Sequence, residues 1–207
     1  MKQIFTLLFV TIACMAMHAQ VSSDADRRIV QAIKQSNSAY HTITSSFQQT
    51  RHLSMLGENT TSGGRFYYRK PEQLAMKYTQ PEGDLLLING NQFVMVAAGK
   101  EKKLSSKSAK MEGMKIILSA CLQGDAEQMG AEKIACSENT NYYMVIADIN
   151  GKLNRSGISR VIASYAKTDG TLATLQTIEA DGSYTLYELT DKKFNQPIEE
   201  EIFSNKN

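Results

Sequence analysis

The chain has no Trp, and only three His, three Cys and three Pro among 207 residues. That stock leaves little material for a metal centre or a nucleophile and its base, and His41 and His52 have no His or Cys at ligand spacing. An excess of one charge is also lacking. The 23 Lys and Arg against 21 Asp and Glu give a formal +2, too weak a field to imply nucleic acid or an acidic partner. The motifs G-x-S-x-G and G-x-G-x-x-G are missing, as is any phosphate-cradling glycine loop. No enzyme class, cofactor or metal is implied.

No apolar run reaches the 18 or so residues of a membrane span. Ile4 to Met17, about 14 residues, follows Met1-Lys2 and precedes His18-Ala19-Gln20. A short basic start, an apolar run and a small residue before the cut describe an export leader. Residues 1–19 are therefore expected to be removed, leaving 20–207 as one domain in the periplasm. Thr11-Ile12-Ala13-Cys14 offers an alternative, because it faintly resembles a lipoprotein acylation site and would leave the chain lipid-anchored through Cys14. Cys121 and Cys136 then remain as a candidate disulfide in an oxidising compartment.

What the chain has is short β-like runs between turn signals. Gly63 to Ala97 holds four of them: Arg65 to Lys70, Leu74 to Thr79, Asp84 to Ile88 and Gln92 to Ala97. Pro71-Glu72, Pro81-Glu82-Gly83 and Asn89-Gly90-Asn91 separate them, which predicts an antiparallel meander. The last two runs are apolar on both faces, so a helix, another sheet or a bound apolar ligand must cover the second face. Glu199-Glu200-Glu201 reads as a solvated end segment.

Upstream, Ser22-Ser23-Asp24 caps a helix to about Tyr40, with Ile29, Ala32, Ile33, Ser36 and Tyr40 at helical spacing. Thr42 to His52 predicts a strand and Leu53 to Ser62 a hairpin tip. Met111, Met114, Leu118, Cys121 and Leu122 predict a second helix ending at Gly124, with one more helical turn over Asp125 to Met129. Between the meander and that helix, Gly99 to Lys103 is a charge run expected to be a solvated loop. Five further strands follow, Ala131 to Ser137, Tyr142 to Asp148, Ile158 to Tyr165, Leu172 to Ala180 and Ser183 to Leu189. The Asp169-Gly170 and Asp181-Gly182 pairs among them are strong hairpin signals. About ten strands with two or three helices grouped among hairpins predict an α+β fold. Of ten Met, Met1, Met15 and Met17 fall in the leader; the other seven are adaptable apolar side chains suited to a cavity between sheet and helices.

Several stretches, in this order, resemble the outer-membrane lipoprotein carrier protein (LolA) family. They are Phe47-Gln48-Gln49, Ser62 to Pro71, Tyr78 to Pro81, Leu87 to Phe93, Asp181 to Leu189, and Asn195-Gln196-Pro197-Ile198 through Phe203. The resemblance implies a strongly curved antiparallel sheet forming an unclosed β-barrel, with the helices as a lid over an apolar cavity. It implies a monomeric, non-enzymatic periplasmic carrier that takes the acyl chains of lipoproteins from an inner-membrane release complex to an outer-membrane acceptor. Lipid or glycolipid carriers share this architecture, and a sensor or scaffold domain docking a protein partner is the reading from another class.

The lining expected for the cavity is Phe66, Tyr68, Leu74, Met76, Tyr78, Leu87, Phe93 and Met95 from the sheet, with Ile33, Met114 and Leu118 from the lid. In the family a basic residue before the first Pro, usually Arg, points inward and holds the lid. The matching position here is Lys70, the lid-latch candidate, with Arg69 facing the other way. Mass spectrometry of the exported protein should give an N-terminus at Gln20; an acylated Cys14 would contradict the leader reading.

Overall fold

The computed structural model describes residues 20–21, 23–98, 100–102, 109–149 and 157–204. Cys14 with the rest of the leader lies outside them. Of the solvated loop expected over Gly99 to Lys103, Gly99 and Lys103 also lie outside, whereas Lys100–Lys102 form a short strand paired antiparallel with Met95 to Ala97 instead of a loop. Two helices, α1 (Asp24–Ser38) and α2 (Ala109–Gln123), accompany a single mixed-length sheet. The first meander is β2 (Thr42–Leu53), β3 (Glu58–Arg69), β4 (Gln73–Gln80), β5 (Glu82–Asn89), β6 (Gln92–Ala97) and the short β7 (Lys100–Lys102). The second is β8 (Ala131–Glu138), β9 (Tyr142–Ile149), β10 (Ile158–Ala166), β11 (Leu172–Glu179) and β12 (Tyr184–Phe194). β12 pairs antiparallel with β2 and joins the two meanders. A two-residue β1 (Gln20–Val21) adds in parallel beside β8.

The resulting order, β1-β8-β9-β10-β11-β12-β2-β3-β4-β5-β6-β7, has two ends that do not meet. With β1 and β7 as short end pieces, the ten long strands form the expected unclosed barrel. The predicted tip over Leu53 to Ser62 is shorter than expected. The β2–β3 ladder runs from Thr42 opposite Arg69 to Leu53 opposite Glu58, so only residues 54–57 turn. The turn after α2 is a 3-10 helix, Ala126–Met129, and a second one, Glu200–Phe203, follows β12.

Local chemistry explains the helix start. Ser23 accepts a hydrogen bond from the Asp26 backbone N–H at 3.1 Å, and Asp24 and Asp26 put negative charge in the first turn of α1. Ile29, Val30, Ile33 and Asn37 form its buried stripe, which packs on β8 and β9 and touches α2. Lys34 reaches Asp125 at 2.7 Å and ties α1 to the turn following α2.

The Gly63-Gly64 pair serves the sheet. Gly63 pairs with Gln80 but Gly64 with Tyr78, so β4 carries an extra residue there, a bulge that increases local twist. A Cβ on Gly64 would stand 2.1 Å from the Lys77 carbonyl oxygen and 2.8 Å from the Tyr78 Cα. Both obstacles are backbone and cannot rotate away.

The core divides by face. The main cluster fills the concave side between sheet and helices, while Ala75, Leu87, Val94 and Phe203 form a smaller one on the convex side. Ile198 and Ile202 join the second cluster, so the stretch read as a solvated end is a strap whose glutamates face water while its apolar residues cover β4 to β6. Gly64→Ala is expected to cost about 2–4 kcal/mol in chemical denaturation. Gly90→Ala, in a turn with φ of 57° and open space around it, should cost about 1 kcal/mol.

Candidate functional site

Register decides which side chains meet. Phe66 and Tyr68 lie opposite Met76 and Leu74, which lie opposite Leu86 and Ile88, which in turn lie opposite Met95 and Phe93. Directly paired residues share a face. This row is the concave wall. Leu87 corrects the expectation: it pairs with Ala75 and Val94 and is buried under Phe203 on the convex face. A step of one residue along a strand reverses its face, and Leu86 and Ile88 take the place assigned to Leu87.

A cavity of about 470 Å³ opens on the concave side. Of the expected lining, Tyr78, Phe93, Met95 and Met114 border it. Phe66, Met76 and Leu118 border a second small cavity of about 20 Å³ beneath α2, which shares Tyr187 with the main space. Ile33, Tyr68 and Leu74 are packed solidly in the core on the same side. The opposite wall comes from Ile158, Thr177, Glu179, Thr185 and Tyr187, with Gln49 and Arg51 between. None of these seven was among the expected residues. The signal was present for two of them, since Gln49 and Arg51 continue the alternation of Ile43, Ser45 and Phe47 along β2.

The cavity is apolar within and polar at its mouth. The Tyr78 hydroxyl donates to Gln49 Oε1 at 2.6 Å, and the Phe47 ring packs edge-on against Tyr78 with centroids 5.0 Å apart. Burial holds the Tyr78 hydroxyl well above its ordinary range and pushes Tyr187 up to about 12, so both are neutral donors at physiological pH. At the rim Arg51 and Glu179 approach to 3.7 Å, and Asp84 accepts the Ala98 N–H at 2.8 Å.

All the rim residues belong to one end of the barrel, where the β2–β3, β4–β5 and β11–β12 turns gather. The other end is clamped. Lys70 Nζ donates to the Asn37 carbonyl oxygen at 2.6 Å, at the C-terminal end of α1 where a cation is favoured. Gln123 Nε2 donates to the Pro71 carbonyl at 3.4 Å, and Lys115 faces Glu72 at 3.6 Å. Three consecutive residues of the β3–β4 turn thus grip both helices. Burial pulls the Lys70 amine below its usual range. Arg69 points to the convex side, donates to the Ile198 carbonyl, pairs with Glu200 and lies 4.9 Å over the Phe203 ring. It fixes the strap.

A further expectation concerns the cysteines. Cys121 and Cys136 are free thiols, so the candidate disulfide is not formed. They sit in separate settings: Cys121 is fully buried on α2, while the Cys136 backbone N–H donates to Asp26 of α1 at 2.7 Å. Burial raises both thiols to about 12, which leaves little thiolate to drive exchange. Among the described residues no group of three or more His, Cys, Asp or Glu converges on a metal-sized space.

Solved structures are similar to the chain at low identity, and those above a TM-score of 0.5 share its fold. An uncharacterised conserved protein from Thermus thermophilus aligns with a TM-score of 0.51 at 8% identity, covering 88% of this chain and 95% of that one. The Pseudomonas aeruginosa MucA/MucB complex gives a TM-score of 0.51 at 8% identity, over 88% of this chain and 62% of its counterpart. Lipoprotein LppX of Mycobacterium tuberculosis aligns at 13% identity and a TM-score of 0.46, over 86% and 99%. No curated protein matches the sequence. The model of the family described as outer membrane lipoprotein carrier protein LolA matches residues 38–206, which contain the whole β2–β12 sheet, its cavity and Lys70, though not Asn37 and the part of α1 before it. The chain belongs to the LolA family.

Proposed function

We propose that this protein is a non-enzymatic carrier of acyl chains in the periplasm, receiving lipidated protein or lipid from one membrane and yielding it to another. The observation that carries the reading is the cavity: apolar walls from Phe93, Met95, Leu86 and Met114 beneath a polar mouth of Arg51, Glu179 and Asp84. That arrangement suits an amphiphile with its chain inside and its head at the rim. A methylene occupies about the volume of a water molecule, about 30 Å³. The space of about 470 Å³ therefore accepts one chain of ordinary length. Further chains of a lipoprotein require α2 to lift and join the space to the small cavity beneath Leu118.

Export as residues 20–207 fits this role, and among the described residues no helix is long and apolar enough to cross a membrane. Donor and acceptor complexes at the two membranes are part of the proposal, as is Lys70 as the latch of α1. Docking of a protein segment is the second reading, favoured by the similarity to MucB, which was solved with MucA bound.

Displacement of a fluorescent fatty acid tests the cavity. The protein should bind the probe with a one-to-one stoichiometry, and Met95→Asp, which puts a charge in the wall, should weaken binding at least about tenfold. A protein that binds no probe would remove the carrier reading. Lys70→Ala leaves the Asn37 carbonyl without its charged donor and should cost about 1–3 kcal/mol of stability. It should also speed ligand release several-fold, with Lys70→Arg close to the native rate. Unchanged release in Lys70→Ala would show that Lys70 is no latch.

A further inference from the structure

Three large apolar side chains are exposed among the described residues, and two of them are neighbours: Met55 at 91% and Leu56 at 64%. Both stand at the apex of the β2–β3 hairpin, a place where turn chemistry ordinarily puts polar residues. They are not there for want of order. The Leu56 and Gly57 backbone N–H groups donate to the Leu53 carbonyl at 3.1 and 2.9 Å, and Gly57 supplies the left-handed residue at φ of 64°. Ser54 N–H donates to Ser183 Oγ, itself held by Asp181, so the apex is moored to the β11–β12 turn. The fold therefore presents two bare apolar side chains on a braced support.

Their position gives the exposure a purpose. Arg51 and Ser62, on the two arms of the same hairpin, line the cavity mouth. The turn begins three residue steps beyond Arg51, so at about 3.3 Å per step the apex reaches roughly 10 Å beyond the mouth. On the second rung below the apex, the His52 ring stacks on Tyr184 with centroids 5.0 Å apart. An apolar tip over a collar of amphipathic rings, flanked by polar residues, is the layering that suits a membrane interface. There apolar groups sink about 5–10 Å and aromatic rings sit at headgroup level.

We propose that the Met55–Leu56 apex is a membrane-touching tip that sets the cavity mouth on a bilayer surface, so that an acyl chain passes between bilayer and cavity without crossing water. The proposal rests on the acyl-carrier reading. It assigns the transfer step to the β2–β3 end, away from the Lys70 clamp.

The chain has no Trp, so Leu56→Trp creates a single reporter. With vesicles of phosphatidylethanolamine and phosphatidylglycerol its emission should shift to the blue and be quenched by brominated lipid. A second variant, Met55→Asp with Leu56→Asp, should slow uptake of a fluorescent fatty acid from the same vesicles at least about tenfold, the loss expected when two apolar contacts are removed. Its affinity for that fatty acid in free solution should stay within about twofold of native. Native uptake by the double variant would overturn the proposal. So would a reporter silent to vesicles, or one that shifts only as protein concentration rises, which would mark a contact between copies. If the native protein binds no fatty acid in solution, the cavity reading falls, while the vesicle response of the reporter still decides the tip.

Discussion

Strands β4 to β6 are apolar on both faces, and the need to cover them twice shapes the rest of the molecule. The convex face is closed by the chain itself, through Ile198, Ile202 and Phe203, and Arg69 holds that strap from beneath. The concave face falls to the helices. Each has 15 residues, about 22 Å of length at 1.5 Å per residue. Ten long strands at about 4.8 Å spacing present a sheet of nearly 50 Å along its curve. Two such helices cannot cover it. The uncovered part is where the cavity opens, and curvature of the sheet brings Thr177 and Tyr187 round to face Phe93 and Met95.

The two ends of the barrel have opposite characters. At one, Lys70, Pro71 and Glu72 hold α1 and α2 through a charged hydrogen bond to Asn37, a hydrogen bond from Gln123 and an ion pair with Lys115. At the other, the rim is made of side chains that satisfy one another, Tyr78 with Gln49 and Arg51 with Glu179. Such a rim has few unmet polar groups when the cavity is empty, so opening it to a ligand costs little. An acyl chain gains on the order of 0.8 kcal/mol per methylene on leaving water, and a bilayer offers the same gain. A carrier works only near that balance. A wall that mixes Met, Phe and Leu with neutral Tyr and Thr binds less tightly than one of aliphatic groups alone.

Much of this was legible in the chain. Pro-Glu, Asn-Gly and Asp-Gly turns placed the strands because each fixes a backbone conformation locally, and the 3.6-residue spacing of Ile29, Ile33, Met114 and Leu118 placed the helices. Surplus apolarity in Leu85 to Ile88 announced a second cover. Which residues that cover would bury was not legible, because face assignment reverses with one step of register; Leu87 went to Phe203 while Leu86 and Ile88 went to the cavity side. The far wall was hidden for a different reason. Ile158, Thr177 and Tyr187 lie far from Phe93 in sequence, and only the pairing of β12 with β2 brings them across the barrel. Lys70 was found through the family pattern, whereas its partner, a backbone carbonyl of α1, leaves no mark in any side-chain pattern. Arg69 reads as one half of a basic pair until the strap that it binds is seen.

Everything in the proposed role depends on the concave cavity holding an acyl chain. Native mass spectrometry of the protein taken from its own cell envelope, without detergent, tests it most directly. A population heavier than the bare chain by the mass of one acylated molecule is expected, returned to bare mass by Met95→Asp. Bare protein throughout, or an adduct that Met95→Asp leaves in place, would contradict it.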